Sequence, residues 1–170
     1  NNTPIVFMGY MNTFESLGAE LFMKEAFESG LDGILIVDMP PEESSDFSNQ
    51  AEKVGIDIIR LIAPTTSSNR AKKICAQCTG YVYYISVKGI TGASNIDSNE
   101  VKRKVSELRK HTDLPIAIGF GIKDASSAAS VMDVGDGIVA GSVFVDLIGE
   151  GDKIIEKIAS KTKELYEVLK

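Results

Sequence analysis

Three glycine-bearing turns stand where apolar, β-branched runs stop: VKGITGAS at residues 87–94, GFGI at 119–122 and AGSVF at 140–144. A turn without Cβ atoms lets a ligand come close to the backbone, and the N–H groups at the start of a following helix favour an anion. Gly121, Gly141 and the Ser142 N–H are the candidates for holding a phosphate, with the Ser142 hydroxyl as a further donor. One such turn is ordinary turn chemistry; three at successive strand ends favour an anion site. Acidic and phenolic residues also sit at or near strand ends. Asp38 closes GILIVD, Tyr10 closes IVFMGY and Tyr83 lies within YVYYISV. A carboxylate at the C-terminal end of a parallel strand is placed for work at a barrel's active face. Glu42 and Glu43 follow Pro40 and Pro41 and are read as charges in a first helical turn.

Other chemistries find too few residues. Cys75 and Cys78 form the only cysteine pair and His111 is the only histidine, so a four-ligand zinc site cannot be assembled. The two cysteines are expected to pack as small apolar residues, and His111 to sit in the last turn of its helix as a structural residue. The acidic balance, a net charge of -6, argues against nucleic acid or an anionic membrane as the main partner. No apolar run reaches membrane-spanning length. Cysteine usage fits a cytoplasmic protein. The chain opens NNTPIVFMGY directly on a strand pattern with no initiator Met, which leads to the expectation that residues precede it.

These candidates need a scaffold. Six apolar runs read as strands: 5–10, 33–38, 56–63, 81–87, 114–120 and 137–144. They are continuous rather than alternating, as in strands buried on both faces of a parallel sheet. Helical patterns lie between them, including ESLGAELFMKEAFESG and DASSAASVMDVG. GDKIIEKIASKTKELYEVLK follows the last strand, with Ile154, Ile155, Ile158 and Leu165 expected on one face. Ser98 is placed as an N-cap, and Gly30 and Gly55 at helix C-termini. Tyr81, Tyr83 and Tyr84 cannot all point one way, and Tyr83 is expected to point inward. The repeated β-α order gives an α/β fold with parallel strands, and no G-x-G-x-x-G follows the first strand. Units of this length suit a (β/α) barrel, of which six of the eight βα units are present in one partial domain, 1–170. The unclosed edges are expected to promote self-association.

TPIVFMGYMN, IVDMPPEE, LIAPTTSSNR, GYVYYISVKGITGA, HTDLPIAIGFGI and DGIVAGSVFV, in that order, resemble the tryptophan synthase alpha chain family. The resemblance covers essentially the whole chain. It implies a (β/α)8 TIM barrel that cleaves indole-3-glycerol phosphate to indole and glyceraldehyde 3-phosphate. It also implies a beta-chain partner, dependent on pyridoxal phosphate, in a heterotetramer. Carried over by residue, it makes Gly92, Gly121, Gly141 and Ser142 the phosphate cradle. Tyr83, Thr91, Phe120, Tyr10 and Asp38 become substrate-binding, while Asn12 and Pro40 resemble positions facing the beta chain. The family's acid–base glutamate and aspartate precede the segment that resembles TPIVFMGYMN and have no counterpart here. The expectation is a chain that binds but does little or no catalysis alone. The competing readings are a non-catalytic phosphate- or partner-binding barrel fragment and a sugar-phosphate isomerase or epimerase, whose acid pairs or metal ligands are not found.

Overall fold

The computed structural model describes residues 3–86, 98–119 and 121–170. These contain strands β1 (Val6–Gly9), β2 (Gly33–Ile36), β3 (Asp57–Ile62), β4 (Val82–Ile85), β5 (Ile116–Gly119) and β6 (Gly137–Val139). The helices are α1 (Met11–Glu15), α2 (Ala19–Glu28), α3 (Ser45–Val54), α4 (Ser68–Cys75), α5 (Ser98–Leu108), α6 (Ala125–Ala129), α7 (Ser142–Gly149) and α8 (Ile154–Val168). Strand order follows chain order. The described pairings β1–β2, β2–β3 and β5–β6 are all parallel.

One device recurs at the N-terminal ends of the strands. Ile5 N donates to Asp32 Oδ2 at 2.7 Å, and Asp32 N returns a bond to Ile5 O at 3.0 Å. Ile58 N donates to Thr79 Oγ1 at 2.8 Å, and Thr79 N returns one to Ile58 O at 2.9 Å. Ile116 N donates to Asp136 Oδ2 at 2.7 Å, and Asp136 N returns one to Ile116 O at 2.9 Å. In each case a polar residue just before a strand clamps the start of the preceding one. The clamp satisfies an N–H that the ladder has not yet reached and fixes the register.

The described residues fall into two compact units. The first comprises Asn1–Ile62, Ser67–Val82 and His111–Leu114. Its core packs Ile34, Ile36 and Ile58 of the sheet against Met23, Ala26, Phe47 and Ala51 of α2 and α3. Phe14, Phe22 and Phe47 meet at 5.1 to 6.4 Å between ring centroids, in the range where aromatic pairs add to burial. Gly33 permits the tight pairing of β1, β2 and β3, since a Cβ there would lie 2.8 Å from Ile59 Cδ1 and 3.2 Å from Val6 Cγ2. By contrast, Ile5 just before β1 and Phe7 and Met8 on it are about half exposed.

The second unit comprises Ala63–Thr66, Tyr83–Lys110 and Pro115–Lys170. In it α8 packs on α6 and α7. Asp124 and Ser127 form a capping box on α6, and Glu164 of α8 accepts from Ala125 N at 2.9 Å. Burial tends to raise the Asp136 pKa, but the Ile116 N–H and the Arg109 guanidinium outweigh it and bring it below the usual value.

Several expectations are corrected. The helix read from 15 to 30 is shorter, α2 at Ala19–Glu28, because Gly18 at φ +75° stops it on the N-terminal side; α1, at Met11–Glu15, has no counterpart among the helical patterns of the sequence. The strand read to 144 ends at Val139, and Ser142 onward is α7: the apolar run SVFV is a helix start. Ser98 is the first residue of α5 rather than its cap. His111 lies beyond α5, 3.0 Å from Ser68 Oγ, not in the helix's last turn. Ile155 points away from the Leu165 face and is 85% exposed. Gly55 ends α3 in the left-handed region, as expected.

Cys75 and Cys78 are free and buried, and among the described residues no cluster of His, Cys, Asp and Glu suits a metal. Burial pushes the Cys78 thiol up to about 11. Roughly 0.1% of it is thiolate at pH 8. Alkylation at pH 8 should therefore be far slower in the folded chain than in urea; equal rates would contradict the packing.

Candidate functional site

In the second unit the end of β4 is fastened to the end of β5. Ser86 N and Ser86 Oγ both donate to Gly119 O, at 2.9 and 2.8 Å. Tyr83 is 4% exposed and its phenol lies against Gly119. A Cβ on Gly119 would stand 2.1 Å from Tyr83 Oη and 2.4 Å from Cζ, so only glycine leaves room for the ring. The next side chain, Tyr84, takes the opposite face and is 1% exposed. Burial first, then the Glu100 charge, push its pKa up to about 12, with Arg103 opposing. Tyr84 is thus a core residue, and Tyr83 is the tyrosine of β4 that meets the strand-end turn.

The glycines at these turns have different causes. Gly121 has φ +82°, the left-handed region where a side chain is strained. Gly141 has φ -126°, and nothing lies within 4 Å of a Cβ built on it. Among the described residues nothing crowds a side chain at 141, and the space in front of it is open. Gly141 also precedes α7, whose N-terminus no side chain caps. Phe144 N and Val145 N turn back to Gly141 O at 2.9 and 3.3 Å, which begins the helix at Ser142. An uncapped N-terminus with exposed serine and glycine is an anion-binding arrangement.

In the first unit, Asp38 follows β2 and its Oδ1 accepts from Met11 N at 2.7 Å. The carboxylate caps the start of α1 and fastens the turn after β1 to the turn after β2. Tyr10 immediately precedes α1 and is 59% exposed. Asn12 is exposed on α1, and Pro40 is half-buried before the short 3₁₀ turn Pro41–Glu43. Thr91, Gly92 and Phe120 lie outside the described residues. Sequence reading missed Ser86 and Gly119 as the pair that sets the Tyr83 ring; the signal was the glycine that ends IAIG opposite a serine that ends VYYIS.

A family model described as tryptophan synthase alpha chain matches residues 1–170. The chain belongs to the tryptophan synthase alpha chain family. It is 48% identical over 151 residues to the tryptophan synthase alpha chain of Thioalkalivibrio sulfidiphilus, covering 89% of this chain and 57% of that one. To the alpha chain of Paraburkholderia phytofirmans it is 45% identical over 171 residues, covering 99% and 63%. Among solved structures, one from a study of mutual activation in the Pyrococcus furiosus tryptophan synthase α2β2 complex superposes with a TM-score of 0.88 at 35% identity, covering 98% and 68%. The Campylobacter jejuni tryptophan synthase subunit alpha gives 0.87 at 31%, covering 97% and 66%. The chain spans 55% to 64% of the length of these curated relatives. The fold is that of the (β/α)8 TIM-barrel class, with six βα units present. Among the described residues no helix is long and apolar enough to cross a membrane.

The three glycines should respond differently to alanine in urea unfolding. Gly121→Ala should cost about 1–2 kcal/mol for its backbone. Gly119→Ala should cost about 1–3 kcal/mol and alter the near-ultraviolet tyrosine signal as Tyr83 is displaced. Gly141→Ala should stay within about 0.5 kcal/mol. A Gly141→Ala loss as large as the others would contradict the open space in front of it.

Proposed function

We propose that this chain carries the substrate-binding part of an enzyme that cleaves indole-3-glycerol phosphate to indole and glyceraldehyde 3-phosphate, a carbon–carbon lyase of tryptophan biosynthesis. The observation that carries this reading is Gly141: a glycine that none of the described residues crowds, in front of a helix without a side-chain cap. The positive end of α7 and the free N–H groups of its first turn neutralise the phosphate, and the Ser142 hydroxyl adds a donor. Gly121 holds the second turn back. Tyr83, fixed by Gly119, offers its ring to the indole, and the family resemblance adds Phe120, Thr91 and Gly92, which lie outside the described residues, to the binding set. The family resemblance also counts Tyr10 and Asp38 as substrate-binding, and Asp38 holds the α1 turn in place.

The cleavage itself needs a proton delivered to the indole ring and one managed at its nitrogen. General acid–base groups of this kind contribute about 10²–10⁴-fold. The 170 residues of this chain supply binding and orientation to that reaction. The half-exposed apolar side chains of β1 mark the edge that a complementary segment would cover. Without that segment, copies of the chain associate through it. Asn12 and Pro40 face a beta-chain partner, as the α2β2 assembly named for the Pyrococcus relative suggests; pyridoxal phosphate belongs to that partner.

The test is indole release from indole-3-glycerol phosphate, by the chain alone and after adding the N-terminal segment of the Thioalkalivibrio relative that precedes the matched region. The chain alone should stay at the buffer rate and the mixture should release indole. Release by the chain alone would overturn the division of labour. A mixture that co-elutes yet releases none would make the chain a binding module.

A further inference from the structure

α3 has two faces of different character. Phe47 and Ala51 enter the core, while Ser45, Ser48, Asn49 and Glu52, spaced i, i+3, i+4, i+7, form a polar stripe. That stripe walls a groove of about 610 Å³ in the first unit, with Gln77 and Thr79, after α4, on the opposite side. The groove runs the length of the helix from Ser44 to Gly55.

Its two ends differ in charge. Behind Ser48 lies Arg60 of β3, only 3% exposed. Arg60 Nη2 donates to Ser48 Oγ at 3.2 Å and Nη1 to Met39 O at 3.4 Å, while Nε has no partner. Among the described residues no carboxylate pairs with this guanidinium. Arg60 does not itself line the groove; Ser48, which accepts from it, does, so the buried charge favours an anion placed at the Ser48 hydroxyl. The positive end of the α3 dipole adds to this. At the opposite end stand the exposed carboxylates Glu52 and Asp57, beside the negative end of the helix. From Ser48 to Glu52 the helix rises about 6 Å, and Asp57 lies beyond the end of α3. Three extended residues reach about 10 Å.

We propose that this groove is a binding site for a short zwitterionic peptide, its carboxylate at Ser48 in front of Arg60 and its ammonium between Glu52 and Asp57. The side-chain amides of Asn49 and Gln77 pair with the peptide groups between the two ends. The site is open to solvent, so binding is weak, in the roughly millimolar range. It does not depend on the lyase reading and stands or falls separately from it.

Triglycine is the probe, titrated into the isotopically labelled 170-residue chain and followed by amide chemical shifts. Saturable shifts should centre on Ser48, Asn49 and Gln77. N-acetyl-triglycine, which lacks the ammonium, and triglycine amide, which lacks the carboxylate, should each bind about fivefold or more weaker. Arg60→Met should weaken triglycine about tenfold. Ser48→Ala, at a half-buried surface position, should also weaken it in a chain whose spectrum stays folded, and it decides the matter where Arg60→Met does not fold. Equal binding of the three peptides, shifts that never saturate, or an unaffected Ser48→Ala would each overturn the proposal.

Discussion

The reciprocal bonds that clamp one strand's start to the residue before the next strand are the constraint on which the rest depends. A parallel strand has no hairpin to set its register; its neighbour arrives only after a helical crossover. Asp32, Thr79 and Asp136 supply the missing reference, each taking an N–H at the start of the preceding strand and returning its own N–H to the same residue. Since side chains alternate along a strand, a slip of one residue would turn every inward side chain outward.

With the register fixed, the strand ends follow. Tyr83 and Tyr84 are adjacent and both buried, yet on opposite faces, so one belongs to the core and the other to the turn that ends β5. Gly119 clears the space for the Tyr83 ring, Gly121 supplies a left-handed backbone, and Gly141 does neither. Three glycines that look equivalent in the sequence therefore have three physical causes. At Gly141 alone among them the described residues leave the space in front of the backbone open. At the other pair of strand ends, Asp38 spends its carboxylate on the Met11 N–H, which makes it a fastener of the α1 turn before anything else.

Much of this was legible in the sequence, because continuous β-branched runs and glycine stops identify buried parallel strands. All six strands fall within the runs read from it, and Gly55 ends its helix as its position suggests. The misreadings share a cause: apolar content says little about period over four or five residues. SVFV is as strand-like in composition as GIV, but Gly141 O captures the Phe144 and Val145 N–H groups and starts α7. Gly18 delays the helix read from 15, so α2 begins only at Ala19. Tertiary pairs were not legible at all. Nothing in the order of residues places Ser86 on Gly119 O, or leaves Arg60 buried without a carboxylate, since both arise from elements far apart in the chain meeting in space.

The central claim is that the glycine strand ends of the second unit hold a phosphate. Titrating inorganic phosphate into the isotopically labelled chain tests it most directly. The account predicts saturable shifts of the Ser142, Val143 and Gly121 amides. It also predicts that Gly141→Ala abolishes them while the protein stays folded. Shifts confined to other surfaces, or shifts at these amides that survive Gly141→Ala unchanged, would contradict it.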